Sequence, residues 1–262
     1  MSYEVFNDDC INRLDQFKEE EFEFDLTFLD PPFNQNKTYN NHNDNMPEED
    51  YWQLMQEVCR SIYSKTSEGG ALYFMQREKN AREVIGVLLK TGWTFQNMII
   101  WKKKTSAVPS NIRFGKHYQI ILFVSKGDRP RVFNRLRIDP PLLKNQKYSR
   151  QNGVYVTDIW NDIRELTSGY FAGDEPLRDA NGERKHKQQS PLKLLTRIIL
   201  SSTNVGDLVF DPFAGTGTTL VASEQLKRDS IGVEIDSDHV SDIHNRLEAI
   251  RESDDLLEIR DD

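Results

Sequence analysis

The sequence predicts an α/β protein built on a largely parallel sheet. Seven short apolar runs, each closed by polar or glycine punctuation, alternate with patterns of helical period along the chain. Strands joined through helices lie parallel and are covered on both faces. The 262 residues suffice for one such domain with an insertion.

Taken in order, the strand candidates are YEVFN, DLTFLD, ALYFM, QNMIIWKK, YQIILFVSKG, DLVFDPF and SIGVEID. The first is followed by CINRLDQF, a helix that Asp8 or Asp9 can cap. After DLTFLD, residues Tyr51, Leu54, Met55, Val58 and Ile62 recur at three and four positions, and Pro47 followed by Glu48, Glu49 and Asp50 suits a first turn. A further helix runs from about Glu78 to Lys90 and stops at Gly92. QNMIIWKK and YQIILFVSKG have no helix-length connection, so they are expected to lie antiparallel at one edge. SPLKLLTRIILSST opens on Ser190 as N-cap with Pro191 in the first helical position. Other helices follow Gly217 and Ser237. The segment from about Gly127 to Gln189 has little periodicity and many turn signals, and is read as an insertion outside the sheet. The last dozen residues are expected to fray.

No apolar run is long enough to span a bilayer, and MSYEVFNDDC has no signal pattern, so the chain is expected to be cytoplasmic. Cys10 and Cys59 form neither a metal spacing nor a disulfide framework, and the histidines show no ligand spacing, so no metal is expected. The net charge of −8 argues against a polyanion partner until its distribution is considered. Between Asp128 and Arg150, Arg129, Arg131, Arg135, Arg137, Lys144, Lys147 and Arg150 face only two aspartates, which makes this segment +5 and the remainder −13. Such a focused basic face suits nucleic acid, although a solvated charged surface has the same composition.

Two stretches carry chemistry. In VFDPFAGTGTTLVASEQL a strand ends at Asp211, Gly215 and Gly217 permit a tight turn, and a helix then begins with free N–H groups. Glu234 ends the next strand about twenty residues on, where a carboxylate accepts hydrogen bonds from ribose hydroxyls. Asp211 at the mouth of the loop repels phosphate and attracts an ammonium or sulfonium group, which suits S-adenosylmethionine better than NAD or ATP. The other stretch, FDLTFLDPPFN, is a buried strand stopped by Asp30, Pro31, Pro32 and Phe33.

FLDPPF resembles the Asp-Pro-Pro-aromatic catalytic motif of DNA amino-methyltransferases, and FDPFAGTGTT resembles their cofactor motif. Their order, catalytic first, is similar to the β-class of that family, and the resemblance covers nearly the whole chain. It implies a Rossmann-like, seven-stranded, S-adenosylmethionine-dependent methyltransferase fold that is circularly permuted, with YEVFN supplying the strand that the C-terminal half lacks. It divides the chain into a catalytic half (1–126), a target-recognition insertion (127–189), a cofactor half (190–250) and an acidic tail (251–262). The catalytic residues implied are Asp30, Pro31, Pro32 and Phe33. The cofactor residues implied are Asp9, Asp211, Phe213, Gly215, Gly217, Thr218, Glu234 and Gln189. HKQQSP resembles the family's H-P-T-Q-K-P segment, with Ser190 in place of lysine. DIWNDI resembles a D-V-W segment without revealing its purpose.

The activity implied is methyl transfer to the exocyclic amine of a base flipped out of double-stranded DNA. Adenine N6 is favoured over cytosine N4 because the motif begins with Asp. The basic insertion is expected to contact phosphates and base edges. Methyl transfer to RNA or another amine, and a non-catalytic DNA-binding subunit, are the rival readings. A homodimer and a cognate restriction endonuclease are left open as partners.

Overall fold

The computed structural model describes residues 2–35, 45–104, 108–138, 153–166, 175–178, 181–182, 185, 189–248 and 259–260. Their elements in chain order are β1 (Tyr3–Asn7), α1 (Cys10–Phe17), β2 (Phe24–Leu29), α2 (Glu48–Lys65), β3 (Thr66–Gln76), α3 (Ala81–Lys90), β4 (Thr94–Lys102) and β5 (Tyr118–Ser125). Then follow β6 (Arg137–Ile138), β7 (Val154–Tyr155), β8 (Ile159–Trp160), α4 (Leu192–Ser202), β9 (Leu208–Asp211), α5 (Thr218–Gln225), β10 (Asp229–Glu234), α6 (Ser237–Glu248) and β11 (Ile259–Arg260).

The main sheet has the order β1-β10-β9-β2-β3-β5-β4-β8. All seven expected strands are in it. β5 runs against both β3 and β4, and the other pairings are parallel. The permutation is visible at one edge, where β1 pairs in parallel with β10 from Tyr3↔Ser230 to Asn7↔Glu234. The first strand of the chain therefore completes a sheet begun by its last long strand.

Period-two alternation divides the core between the two faces. Leu26 and Phe28 of β2, Tyr73 and Met75 of β3, and Ile121 and Phe123 of β5 pack with α4, α5 and α6. Leu29, Leu72, Phe74, Leu122 and Val124 pack with α1, α2 and α3. Tyr51, Met55, Val58 and Ile62 of α2 are buried as their spacing predicts, and Cys59 joins them. Burial pushes the Cys10 and Cys59 thiols up, which keeps both protonated and inert. No described helix is long and apolar enough to cross a membrane.

Three expectations need correction. Pro191, not Ser190, is the N-cap of α4, with extended backbone, and the Ser190 hydroxyl is directed elsewhere. Ile259–Arg260 does not fray: it pairs as β11 with β6, which also pairs with β7 in a small second sheet. The 127–189 segment is not wholly outside the main sheet, because Ile159 and Trp160 pair in parallel with Ile100 and Trp101.

DIWNDI acquires a purpose from that last pairing: it staples the insertion to the body. Trp101 Nε1 donates to the Ile163 carbonyl at 3.0 Å. The fully buried Arg197 of α4 grips Asp162 through both guanidinium nitrogens and lies over the Trp160 ring. Burial acts to raise the Asp162 pKa, but the hydrogen bonds and charge of Arg197 outweigh it and hold the carboxyl below its ordinary value. This ion pair thus adds stability above the ordinary carboxylate range and loses it as pH falls through the depressed value. Asp162→Ala leaves Arg197 buried and uncompensated, and is expected to cost about 3–5 kcal/mol in urea unfolding at neutral pH. The deficit shrinks in acid; an equal deficit at every pH excludes the ion pair as its source.

Candidate active site

The carboxyl ends of β2 and β9 lie side by side, with Leu26↔Val209 and Thr27↔Phe210 in register. From β9 the chain crosses by α5 to β10 on one side, while from β2 it crosses by α2 to β3 on the other. Connections diverging from neighbouring parallel strands open a crevice above them, the usual ligand site of such sheets. It brings Asp30 next to the loop after Asp211, although the two are about 180 residues apart in sequence.

The turn after β2 is held from beneath. Tyr51 Oη donates to the Pro32 carbonyl at 2.8 Å, and Gln76 Nε2 at the end of β3 donates to Tyr51 Oη at 3.0 Å. Gln76 in turn accepts from Arg77 N at 2.9 Å, so its amide orientation is fixed. Asn34 adopts φ +51° and its side-chain amide donates to and accepts from the Met46 backbone, both at 2.8 Å. Pro31 and Phe33 are buried, Phe33 within the core of the α4–α6 face. Ser190 Oγ donates to Asp30 Oδ2 at 3.2 Å. The serine that departs from the resembled pattern thus touches the central carboxylate. Neither this contact nor the Tyr51–Gln76 support is signalled by local sequence, since each partner lies on another element.

The glycine loop is equally constrained. Gly215 and Gly217 have φ of +53° and +76°, and a Cβ at Gly217 would lie 2.7 Å from Ile243 Cγ1 of α6. Gly217 is therefore required twice, for its left-handed backbone and for close helix packing. It caps α5, and the buried Thr218 hydroxyl accepts from Arg246 Nη1. Phe213 is half-buried against the α1–α3 core. The Asp211 carboxylate accepts from Phe213 N at 3.0 Å and from the Thr219 hydroxyl. Burial nevertheless pushes its pKa up to about 7, and neighbouring Glu234 adds to the rise. Glu234 accepts from Gly215 N at 2.7 Å and Asp236 N at 2.9 Å, which ties the strand end to the loop. His239 Nδ1 lies 3.7 Å from Glu234, whose hydrogen bond and charge raise the histidine pKa. Exposed Ile235 offers an apolar surface next to that carboxylate.

The other expected residues are scattered. Asp9 stands at the end of β1 beside the end of β10, but its Oδ1 caps α1 through Ile11 N and Asn12 N. Buried Gln189 accepts from Leu177 N and donates to the Glu175 carbonyl, so its amide fastens residues 175–177 to the start of α4. Arg131 pairs with Asp25 at 2.8 Å and Asp207 at 2.7 Å, at the amino ends of β2 and β9 and so opposite the crevice. Arg129 shares that turn, whose backbone bonds to Gly69 and Gly70 at the amino end of β3. Arg135 and Arg137 stack over Tyr155 at 5.4 and 3.9 Å in the small sheet. Lys144, Lys147 and Arg150 lie outside the described residues, as does His186, the first residue of HKQQSP. Among the described residues, no three His, Cys, Asp or Glu side chains group to hold a metal.

Together, sheet order and crevice define a Rossmann-like α/β fold with its ligand site above the β2–β9 seam. A DNA methylase family model covering N6 and N4 enzymes matches residues 24–245, and the chain belongs to that family. It is 30% identical over 265 residues to the type II methyltransferase M.BamHI of Bacillus amyloliquefaciens, covering 88% of this chain and 54% of that protein. The chain thus spans about half the length of that relative. Among solved structures, the M1.HpyAVI–SAM complex superposes with a TM-score of 0.65 at 22% identity, over 94% of this chain and 100% of that one. The cytosine-N4-specific PvuII DNA methyltransferase gives a TM-score of 0.67 at 17% identity, over 96% and 88%.

The raised Asp211 pKa has a measurable sign. A carboxyl whose folded value exceeds its unfolded one destabilises the chain increasingly as pH rises from about 4 to about 7. Asparagine preserves shape without charge, keeps one oxygen to accept from Phe213 N, and offers an N–H to a Thr219 hydroxyl that can turn to accept it. Asp211→Asn is expected to melt several degrees above the parent chain at pH 8, at about 2–4 °C per kcal/mol, with the gap closing by pH 5. A gap independent of pH rules out the charge as its cause.

Proposed function

We propose that this DNA methyltransferase uses S-adenosylmethionine to methylate the exocyclic amino group of a base flipped from double-stranded DNA, adenine N6 in preference to cytosine N4. The observation that carries the reading is the adjacency of β2 and β9, which sets the Asp30-Pro31-Pro32-Phe33 turn beside the glycine loop.

The crevice suits that cofactor. A side chain at Gly217 would collide with α6, so backbone lines the loop at that point. Glu234 stands where a ribose can be held, Ile235 offers apolar surface to an adenine, and Asp211, whose burial pushes its pKa up to about 7, would be held ionised by a bound ammonium group. Asp9, Phe213 and Thr218 border this region, and Asp9 Oδ1 already accepts two backbone hydrogen bonds. The M1.HpyAVI structure, solved with SAM, supports the assignment. When bound, S-adenosylmethionine supplies a methyl group carried on positive sulfur.

The chain's own residues prepare the acceptor. An exocyclic amine is conjugated with its ring and is a poor nucleophile. The Asp30 carboxylate and Pro31 carbonyl accept hydrogen bonds from its two protons, which favours a pyramidal nitrogen with its lone pair directed at the methyl group. Proline fixes the backbone at that carbonyl and brings no N–H to compete. Tyr51 and Gln76 hold the turn in place by engaging the next carbonyl, that of Pro32. Phe33 presents the aromatic ring against which the base stacks. Residues 127–189 carry target recognition in this reading, with exposed Arg135 and half-buried Arg137, which stack on Tyr155, among its candidate contacts. Asp at the head of the motif favours adenine, while the likeness to a cytosine-N4 enzyme keeps cytosine as the alternative.

Asp30→Ala is expected to lower methyl transfer from labelled cofactor to duplex DNA by at least about a hundredfold, the scale of losing one aligned acceptor. Cofactor affinity by calorimetry stays within about twofold of the parent, since Asp30 is assigned to the base and not the cofactor. Retained transfer sinks the assignment. Mass spectrometry of nucleosides from the methylated DNA distinguishes N6-methyladenine from N4-methylcytosine.

A further inference from the structure

The turn between β4 and β5 has no role in the site described above, yet it departs from ordinary surface composition. Val108, Ile112 and Phe114 are 89%, 91% and 94% exposed. Leaving such side chains in water forgoes about 1.5–3 kcal/mol each relative to burial, so folding alone does not explain them. Three within seven residues form a patch rather than scattered apolar surface.

Three observations indicate what covers this patch. First, β4 is antiparallel to β5, and β5 is antiparallel to β3, so the carboxyl end of β4 points the same way as those of β2 and β3. The turn therefore rises on the edge of the sheet that carries Asp30. Second, residues 102–116 contain five basic residues (Lys102, Lys103, Lys104, Arg113 and Lys116) and no acidic one, in a chain of net charge −8. The acidic partners are few: Lys116 reaches Glu78 at 3.3 Å, and Glu165 accepts from the Lys104 backbone N–H at 2.8 Å. Third, the turn has internal structure. Ser110 N donates to the Arg113 carbonyl at 3.1 Å, Ile112 N donates to Ser110 Oγ at 3.4 Å, and Lys103 N donates to the His117 carbonyl at 2.9 Å where the strands begin to pair. Apolar tips on a held turn, framed by cations and set at the catalytic edge, match a polyanion with an apolar interior.

We infer that the Val108–Phe114 turn is a DNA-inserting wedge: Ile112 and Phe114 enter the base stack beside the target nucleotide while Arg113 and Lys116 meet the flanking phosphates. The inference rests on the DNA-methylating function proposed above and adds to it the element that keeps the duplex open. Extruding a base from a duplex breaks its pairing and stacking, and apolar wedges offset the unstacking of neighbouring base steps.

The test uses the full chain, tritiated-methyl S-adenosylmethionine and unmethylated double-stranded plasmid DNA. Ile112→Ser with Phe114→Ser is expected to lower kcat/KM for the plasmid about tenfold, the scale of one lost stacking contact. Cofactor affinity and thermal midpoint remain unchanged, because neither residue is packed in the fold. Ile112→Leu with Phe114→Trp retains activity. Arg113→Ala lowers the salt dependence of plasmid binding by about one ion, whereas the double serine variant leaves that slope intact. If the parent chain transfers no methyl group to plasmid, the proposed function fails and the wedge with it. If the parent is active and the double serine variant equals it, the wedge alone fails. A variant that differs from the parent only in self-association, by sedimentation, overturns the inference in favour of a second copy as occupant.

Discussion

The site exists because two ends of the chain meet along the short seam between β2 and β9. Only two residue pairs are in register there, yet the seam joins the strand that delivers Asp30 to the strand that delivers the glycine loop. The seam is reinforced on all sides. Phe24 and Phe210 stack with centroids 4.1 Å apart and rings nearly parallel. Asp25 accepts from Leu208 N at 3.0 Å, and Arg131 bridges Asp25 and Asp207. Arg131 therefore contributes to the site from the far end of the sheet, by holding the two strands in parallel rather than by meeting a ligand.

This arrangement explains how the permuted chain works as one unit. β1 is sequence-distant from β10 but completes its edge, and Asp8 N donates to the Glu234 carbonyl at 3.2 Å where the two strands end. The first strand is thereby tied to the side of the sheet that carries the glycine loop. Chain order is immaterial to the crevice, which depends only on which strands are neighbours.

What the sequence made legible follows from the same distinction. Strands, helices and the two motifs are local, and period-two or period-four spacing with glycine and proline punctuation marked them within a few residues. The roles of Ser190, Tyr51, Gln76 and Arg197 are relations between elements, and nothing in their own neighbourhoods encodes them. The place of Arg129 and Arg131 was hidden for a related reason: charge density along the chain does not tell which end of a sheet a turn occupies. DIWNDI was visible as a motif but became interpretable only once Asp162 was seen against buried Arg197.

Asp30 shows why position alone does not settle base choice. Its Oδ2 accepts from Ser190, so in the proposed reaction an incoming amine meets a carboxylate already engaged by a small neutral hydroxyl. A lysine in that place would set a cation against the carboxylate and compete with the amine for its lone pairs. Serine gives the carboxylate a neutral partner that can rotate away. In the proposed reaction the acceptor presented to the base is set jointly by Asp30 after β2 and Ser190 before α4, so the choice between adenine and cytosine rests on the space around this pair as well as on the first letter of the motif.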